Sequence, residues 1–124
     1  MEERDPLTER VIGAAIEVHR ILGPGLLESV YQKCLCHELA LRAVAFQAQV
    51  ELPVVYKEVD LGCNFVMDIV VEDNLVLELK AIEKLAPIHE AQLLTYLRLS
   101  GIRRGLLLNF HQPLLRAGIK RMVL

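Results

Sequence analysis

Asp68, Glu78 and Lys80 are the residues of this chain best suited to chemistry. They lie in VMDIVVEDNLVLELKAI, a stretch that is otherwise apolar apart from one central turn. Charge in such a setting is costly unless something compensates it. Two adjacent carboxylates repel, and one takes up a proton unless a cation joins them. A hard divalent ion such as Mg²⁺ prefers carboxylate oxygens, a backbone carbonyl and waters. Asp68 and Glu78 would hold such an ion, and Leu79 could add its carbonyl. Lys80 would orient or activate an attacking water, or steady charge on a phosphate oxygen. The combination points to metal-assisted phosphodiester hydrolysis. The plain alternative is a structural ion pair between the acids and Lys80.

Whether the two acids meet depends on one loop. Antiparallel partners share a face of a sheet. A two-residue Asp73-Asn74 turn pairs Asp68 with Leu79 and sends Asp68 and Glu78 to opposite faces. A three-residue loop, Glu72-Asp73-Asn74, pairs Val71 with Leu75, Val70 with Val76 and Asp68 with Glu78. Asn74 tolerates the left-handed conformation that closes such loops. Lys80 then shares the face of Glu78 by the period of two. Met67, Ile69, Val71, Leu75, Leu77 and Leu79 fill the other face as core.

Further along, Gln92 and Tyr96 are four residues apart and share a helix face. Gln92 could reach the cleft and hold a water or a phosphate. Tyr96 could equally be core. Glu28 opens another helix in Gly25-Leu26-Leu27-Glu28-Ser29-Val30-Tyr31. It reads either as a third carboxylate near the metal or as an acid favourable to the helix dipole, worth roughly 0.3–1 kcal/mol. The residues alone do not choose between the two.

The elements that must carry these groups follow from periodicity and punctuation. Asp5-Pro6 reads as an N-cap and a first helical proline. Val11, Ala15, Val18 and Leu22 make an apolar helical stripe, which Gly23-Pro24-Gly25 ends. A second helix covers about 26–42. Residues 46–56 read as a strand in which Pro53 favours an end or a sheet edge. Two strands follow over 65–71 and 75–81. Pro87 opens a third helix and Gly101 closes it. Residues 105–110 form a buried strand, and 118–124 a short last one. The order ααβββαβ(β) is of α/β type, one sheet covered by helices, in a single domain over residues 1–124.

Composition limits the function classes. The chain has 124 residues, 53% of them hydrophobic and only 5% aromatic, so one aliphatic core is expected. No apolar run approaches the ~18–20 residues that span a bilayer. The start, MEERDPLTER, has no signal-peptide core, so a cytoplasmic protein is expected. Cys34, Cys36 and Cys63 form neither a knuckle nor a disulfide framework and read as small core residues. The four histidines have no ligand spacing, which argues against zinc. Net charge is −2, yet no acid follows Glu90, while Arg98, Arg103, Arg104, Arg116, Lys120 and Arg121 do. That basic third either faces phosphates or consists of solvated strand ends and turns.

These motifs resemble a known group. Asp68…Glu78-Leu79-Lys80 resembles the motif of the PD-(D/E)XK nuclease superfamily. Gln92-x-x-x-Tyr96 resembles the extra motif of its RecB and lambda exonuclease-like branch. Gly25-x-x-Glu28-x-x-Tyr31 is similar to the signature of the small GxxExxY protein family. IGAAIEVHRILGPGLLESVYQ, ELPVVYK, VEDNLVLELKAIEKL, HEAQLLTYL and LLLNF extend the likeness over roughly residues 10–122. The resemblance implies a restriction-endonuclease-like core, a central mixed β-sheet flanked by helices. It implies Mg²⁺ or Mn²⁺ at Asp68 and Glu78, with Glu28 as a further acid, Lys80 as catalytic lysine, and Gln92 and Tyr96 in support. It implies nucleic acid, DNA foremost, as substrate, with a homodimer or a partner protein completing the channel. The family pattern expects arginine two residues before the aspartate, where this chain has Val66. A non-catalytic nuclease-fold module that binds nucleic acid or a protein partner is the alternative.

Overall fold

The computed structural model describes residues 5–124. Proline at the first helical position begins α1 (Pro6–Leu22), whose buried stripe includes Val11, Ala14, Ala15 and Val18. Asp5 occupies the N-cap, but its carboxylate does not cap the helix. It accepts a bond from the Thr8 hydroxyl at 2.8 Å and pairs with Arg104 at 3.0 Å. The helix start is thus tied to the far end of the chain. The glycine-rich break leads into α2 (Glu28–Leu41), with Leu27 at its N-cap.

A hairpin of β1 (Phe46–Tyr56) and β2 (Val59–Val71) follows. β2 is longer than the expected 65–71. Its first half, Val59 to Phe65, does alternate apolar residues with polar ones or glycine, but it is exposed, and its turn places Lys57 and Glu58 at positive φ without the glycine or asparagine that marks a hairpin. β1 is the edge strand, and its register shifts between Pro53 and Val55, in keeping with proline's exclusion from sheet interiors.

Next come β3 (Leu75–Lys80), α3 (Pro87–Ser100), β4 (Arg104–Asn109) and, after a 3₁₀ turn, β5 (Ile119–Val123). Gly101 ends α3 in the left-handed conformation at φ 76°. The five strands lie in the order β1-β2-β3-β4-β5. Only β3 and β4 are parallel, joined through α3, so the sheet is mixed. α1 and α2 pack on one face with Ile69, Val71, Leu75, Leu77, Leu79, Leu106 and Leu108. α3 packs on the other through Leu93, Tyr96 and Leu97 against Val70, Val76 and Leu107. Among the described residues no helix is long and apolar enough to cross a membrane.

Met67 is not on the face expected for it. It packs with the α3 side, whereas Ile69, two residues on, packs with the α1/α2 side. β1 switches likewise, since Phe46 packs against one cluster and Val50 and Leu52 against the other. The switch falls at Gln49 and Asp68, between the pairs Ala48–Ile69 and Val50–Met67. Strict alternation cannot anticipate it.

Candidate active site

β2 and β3 pair as Val71–Leu75, Val70–Val76 and Ile69–Leu77, the register that a three-residue loop requires. The loop achieves it differently from expectation. Glu72 and Asp73, not Asn74, have positive φ, at 50° and 54°. The Asn74 N–H returns to the Val71 carbonyl at 2.9 Å, and the Asn74 side-chain amide donates to the Glu72 carbonyl at 2.9 Å. Asn74 therefore stabilises the turn through its side chain.

Beyond Ile69–Leu77 the two strands separate. Asp68 sits at the fork, and its Oδ2 accepts the Leu79 N–H at 2.9 Å. Glu78, opposite by count, is held by β4 through the pairing Glu78–Leu107 and is only 3% exposed. Its Oε1 is buried with no hydrogen-bond partner. Burial, then the charge of Asp68, pushes the Glu78 carboxyl up to about 9, with Lys80 acting in the opposite direction.

Lys80 does not form the ion pair that was the plain alternative. Its Nζ donates instead to Gln92 Oε1 at 3.3 Å, and Gln92 Nε2 donates to the Tyr96 hydroxyl at 3.1 Å. Strand and helix are thus joined by a polar chain, Lys80–Gln92–Tyr96. Tyr96 is also a core residue: it is buried, and its ring lies 5.7 Å from Phe65. Burial and the nearby Glu78 and Asp68 charges push its phenol upward.

Glu28 comes from the start of α2. Its carboxyl is raised by partial burial and then by Asp68, offset by Lys80, so it belongs to the same electrostatic site. The flanking motif residues have structural roles. Tyr31 is fully buried, stacks on Phe110 at 4.5 Å, donates to the Gly23 carbonyl at 2.6 Å and accepts the Leu26 N–H at 3.1 Å. It pins the loop that aims Glu28. Gly25 has φ 96°, where a side chain would be strained. The three acids do not form a ready-made cage: among the described residues no group of three or more His, Cys, Asp or Glu could hold a metal ion. The pair Asp68 and Glu78 nevertheless suits a hard cation, because a partnerless buried carboxylate oxygen beside a second carboxylate calls for one.

Two residues escaped sequence reasoning. Gln32 Nε2 donates to the Asp68 carbonyl at 3.5 Å. Its place one helical turn after Glu28 was a usable signal. Asn109 is fully buried and binds both the N–H and the carbonyl of Ile82, at 3.1 and 2.9 Å. It fixes the chain just past Lys80, while the Phe110 N–H holds the Lys80 carbonyl at 2.9 Å. Val66 is 38% exposed on β2, two residues before Asp68. The basic third is partly neutralised, since Arg104, Lys120 and Arg121 pair with Asp5, Glu90 and Glu9 at 3.0, 3.7 and 2.8 Å. Cys34 and Cys36 are half-buried against the core, but Cys63 is exposed and is not the core residue expected.

A family model described as the PD-(D/E)XK nuclease superfamily matches residues 5–122. No curated protein and no solved structure matches the chain. The mixed five-stranded sheet flanked by helices is the restriction-endonuclease-like arrangement. With the match spanning all but a few residues of the fold that carries Asp68, Glu78 and Lys80, the chain belongs to the PD-(D/E)XK nuclease superfamily.

Proposed function

We propose that the chain is a Mg²⁺- or Mn²⁺-dependent nuclease acting on DNA, within the GxxExxY group and the RecB-like branch, as one cytoplasmic nuclease unit over residues 1–124. The observation that carries this reading is the Glu78 carboxylate, buried beside Asp68 with one oxygen lacking any partner. Asp68 and Glu78 hold the metal, with the Leu79 carbonyl and Glu28 as further donors. When bound, such an ion supplies the Lewis acidity that activates water and stabilises a phosphorane-like transition state. Lys80 orients the attacking water and faces the developing charge. Gln92 fixes the Lys80 ammonium and positions substrate, and Tyr96 anchors Gln92. A partner protein or a second copy completes the substrate channel.

Cleavage of single- and double-stranded DNA with Mg²⁺ or Mn²⁺ tests this. Activity is expected in the wild type and absent from Asp68→Ala and Lys80→Ala. Undiminished cleavage by either variant would overturn the mechanism. Val66, at the place of an expected arginine, favours a second reading, a non-catalytic module that binds nucleic acid or a protein. Salt-dependent DNA binding without any thermal shift from Mg²⁺ or Mn²⁺ would support it.

A further inference from the structure

Gln49 is a strand residue in the wrong conformation. Its φ of 53° lies in the left-handed region, which costs a non-glycine residue about 1–2 kcal/mol. Such strain persists where the surroundings over-determine it, and it concentrates at functional positions. Gln49 stands opposite Asp68, at the point where both strands switch faces. Its side chain is not idle. Gln49 Nε2 donates to Gln32 Oε1 at 2.9 Å, and Gln32 Nε2 in turn donates to the Asp68 carbonyl at 3.5 Å. The second bond is long, so on its own it would be weak. Its weight comes from its position. Gln32 is one helical turn after Glu28, on the same face of α2, and Glu28 is electrostatically coupled to Asp68.

We infer that Gln32, braced by Gln49, is a positioning residue that locks the face switch at Asp68 and docks the Glu28 face of α2 over that aspartate. The switch lets Asp68 leave the alternation of its strand. Its carboxylate then takes up the Leu79 N–H, an amide that would otherwise continue the β2–β3 ladder. Neither glutamine belongs to the D…ExK, QxxxY or GxxExxY motifs. The catalytic meaning of the inference rests on the nuclease reading; the positioning of Asp68 does not.

Amide exchange by NMR on the metal-free full chain tests the positioning. In Gln32→Ala, exchange at Leu79 is expected to be about tenfold faster or more, with Leu107 in β4 unchanged. Gln49→Gly, which keeps the left-handed backbone without strain but removes the side chain, is expected to do the same. Wild-type exchange at Leu79 in both variants would overturn the inference. So would equal acceleration at Leu79 and Leu107, which reports a general loss of stability. Calorimetry with Mn²⁺ alone on the same samples is expected to show about tenfold weaker binding in Gln32→Ala, the usual effect of losing a group that orients a ligand. Unchanged Mn²⁺ affinity would also count against it. A wild-type chain that takes up no Mn²⁺ sinks the nuclease reading instead, and the exchange data then decide the positioning alone.

Discussion

The Asp68 carboxylate accepts the Leu79 main-chain N–H at 2.9 Å, where β2 and β3 part. One acidic side chain thereby ends a β-ladder and faces a second acid. Its charge and its role as an acceptor separate by substitution. Asp68→Asn keeps an acceptor oxygen, whereas Asp68→Ala strands the amide of fully buried Leu79. Both lose cleavage. Asp68→Ala is expected to be less stable than Asp68→Asn by about 1–3 kcal/mol, the cost of a buried unsatisfied donor. Urea denaturation of the two variants measures the difference, and equal midpoints would contradict it.

Glu78 makes the metal-free protein sensitive to alkali. Its carboxyl is pushed up to about 9 in the folded chain, from the usual carboxylate range when unfolded. Between those values the folded state holds a proton that the unfolded state has released. Stability is therefore fully present below about pH 4.5 and falls as pH rises toward 9, at a slope of up to about 1.4 kcal/mol per pH unit. Glu78→Gln has no such proton and is expected to flatten that slope and to raise the neutral-pH melting temperature. Thermal melts across pH 5–9, with EDTA present, compare the two proteins.

On the proposed mechanism the same proton competes with metal. A divalent ion held by Glu78 would need its ionised form, so binding is expected to release a proton at neutral pH, below about pH 9. Mn²⁺ affinity is expected to rise with pH, by up to about tenfold per unit. Calorimetry in buffers of different ionisation enthalpy counts the proton released. In Glu78→Gln both the affinity and the proton release should be lost.

The chain Lys80–Gln92–Tyr96 ranks three variants. Lys80→Met removes the cation that the proposed mechanism sets against the phosphate and is expected to abolish cleavage while leaving the fold intact. Gln92→Ala frees the ammonium without deleting it, so a partial loss is expected. Tyr96→Phe deletes only the hydroxyl that steadies Gln92, and the ring keeps its contact with Phe65. A small loss of activity and about 1 kcal/mol of stability are expected there. Single-turnover rates under saturating Mn²⁺ order the three, and a Tyr96→Phe defect as large as that of Lys80→Met would break the order.

The register was legible as far as Ile69–Leu77, because a period of two and an odd loop fix it, although the strands part before Asp68 and Glu78 can pair. The apolar runs read as strands at 75–81 and 105–110, observed as Leu75–Lys80 and Arg104–Asn109, and the prolines and glycines that punctuate the helices, were equally plain. The face switch at Asp68 was not. It depends on a left-handed Gln49 in a neighbouring strand, and alternation therefore put Met67 on the wrong side. The first half of β2 was missed although Val59, Leu61, Cys63 and Phe65 alternate, because the turn before it, Lys57-Glu58, takes positive φ without glycine or asparagine. The basic third could not be divided between a phosphate surface and solvated ends, because its partners Asp5 and Glu9 lie about a hundred residues earlier. Only tertiary packing brings such charges together.

Gly118 tests how far the site depends on β4. A Cβ there would stand 2.3 Å from the Asn109 carbonyl oxygen, a main-chain atom that cannot swing away. Asn109 is the register partner of Lys80 and clamps Ile82 just beyond it. Gly105 offers the contrast, since a Cβ there would meet the side chain of Leu93, at 2.9 Å, and no main-chain atom that close. Overpacking in a well-packed region costs about 1–3 kcal/mol, and more where backbone must move. Gly118→Ala is therefore expected to lower the melting temperature further than Gly105→Ala. It should also reduce cleavage measured well below both melting temperatures, because the displaced Asn109 carries the exit of β3 with it. Retention of full activity in folded Gly118→Ala would show that Lys80 keeps its place without that clamp.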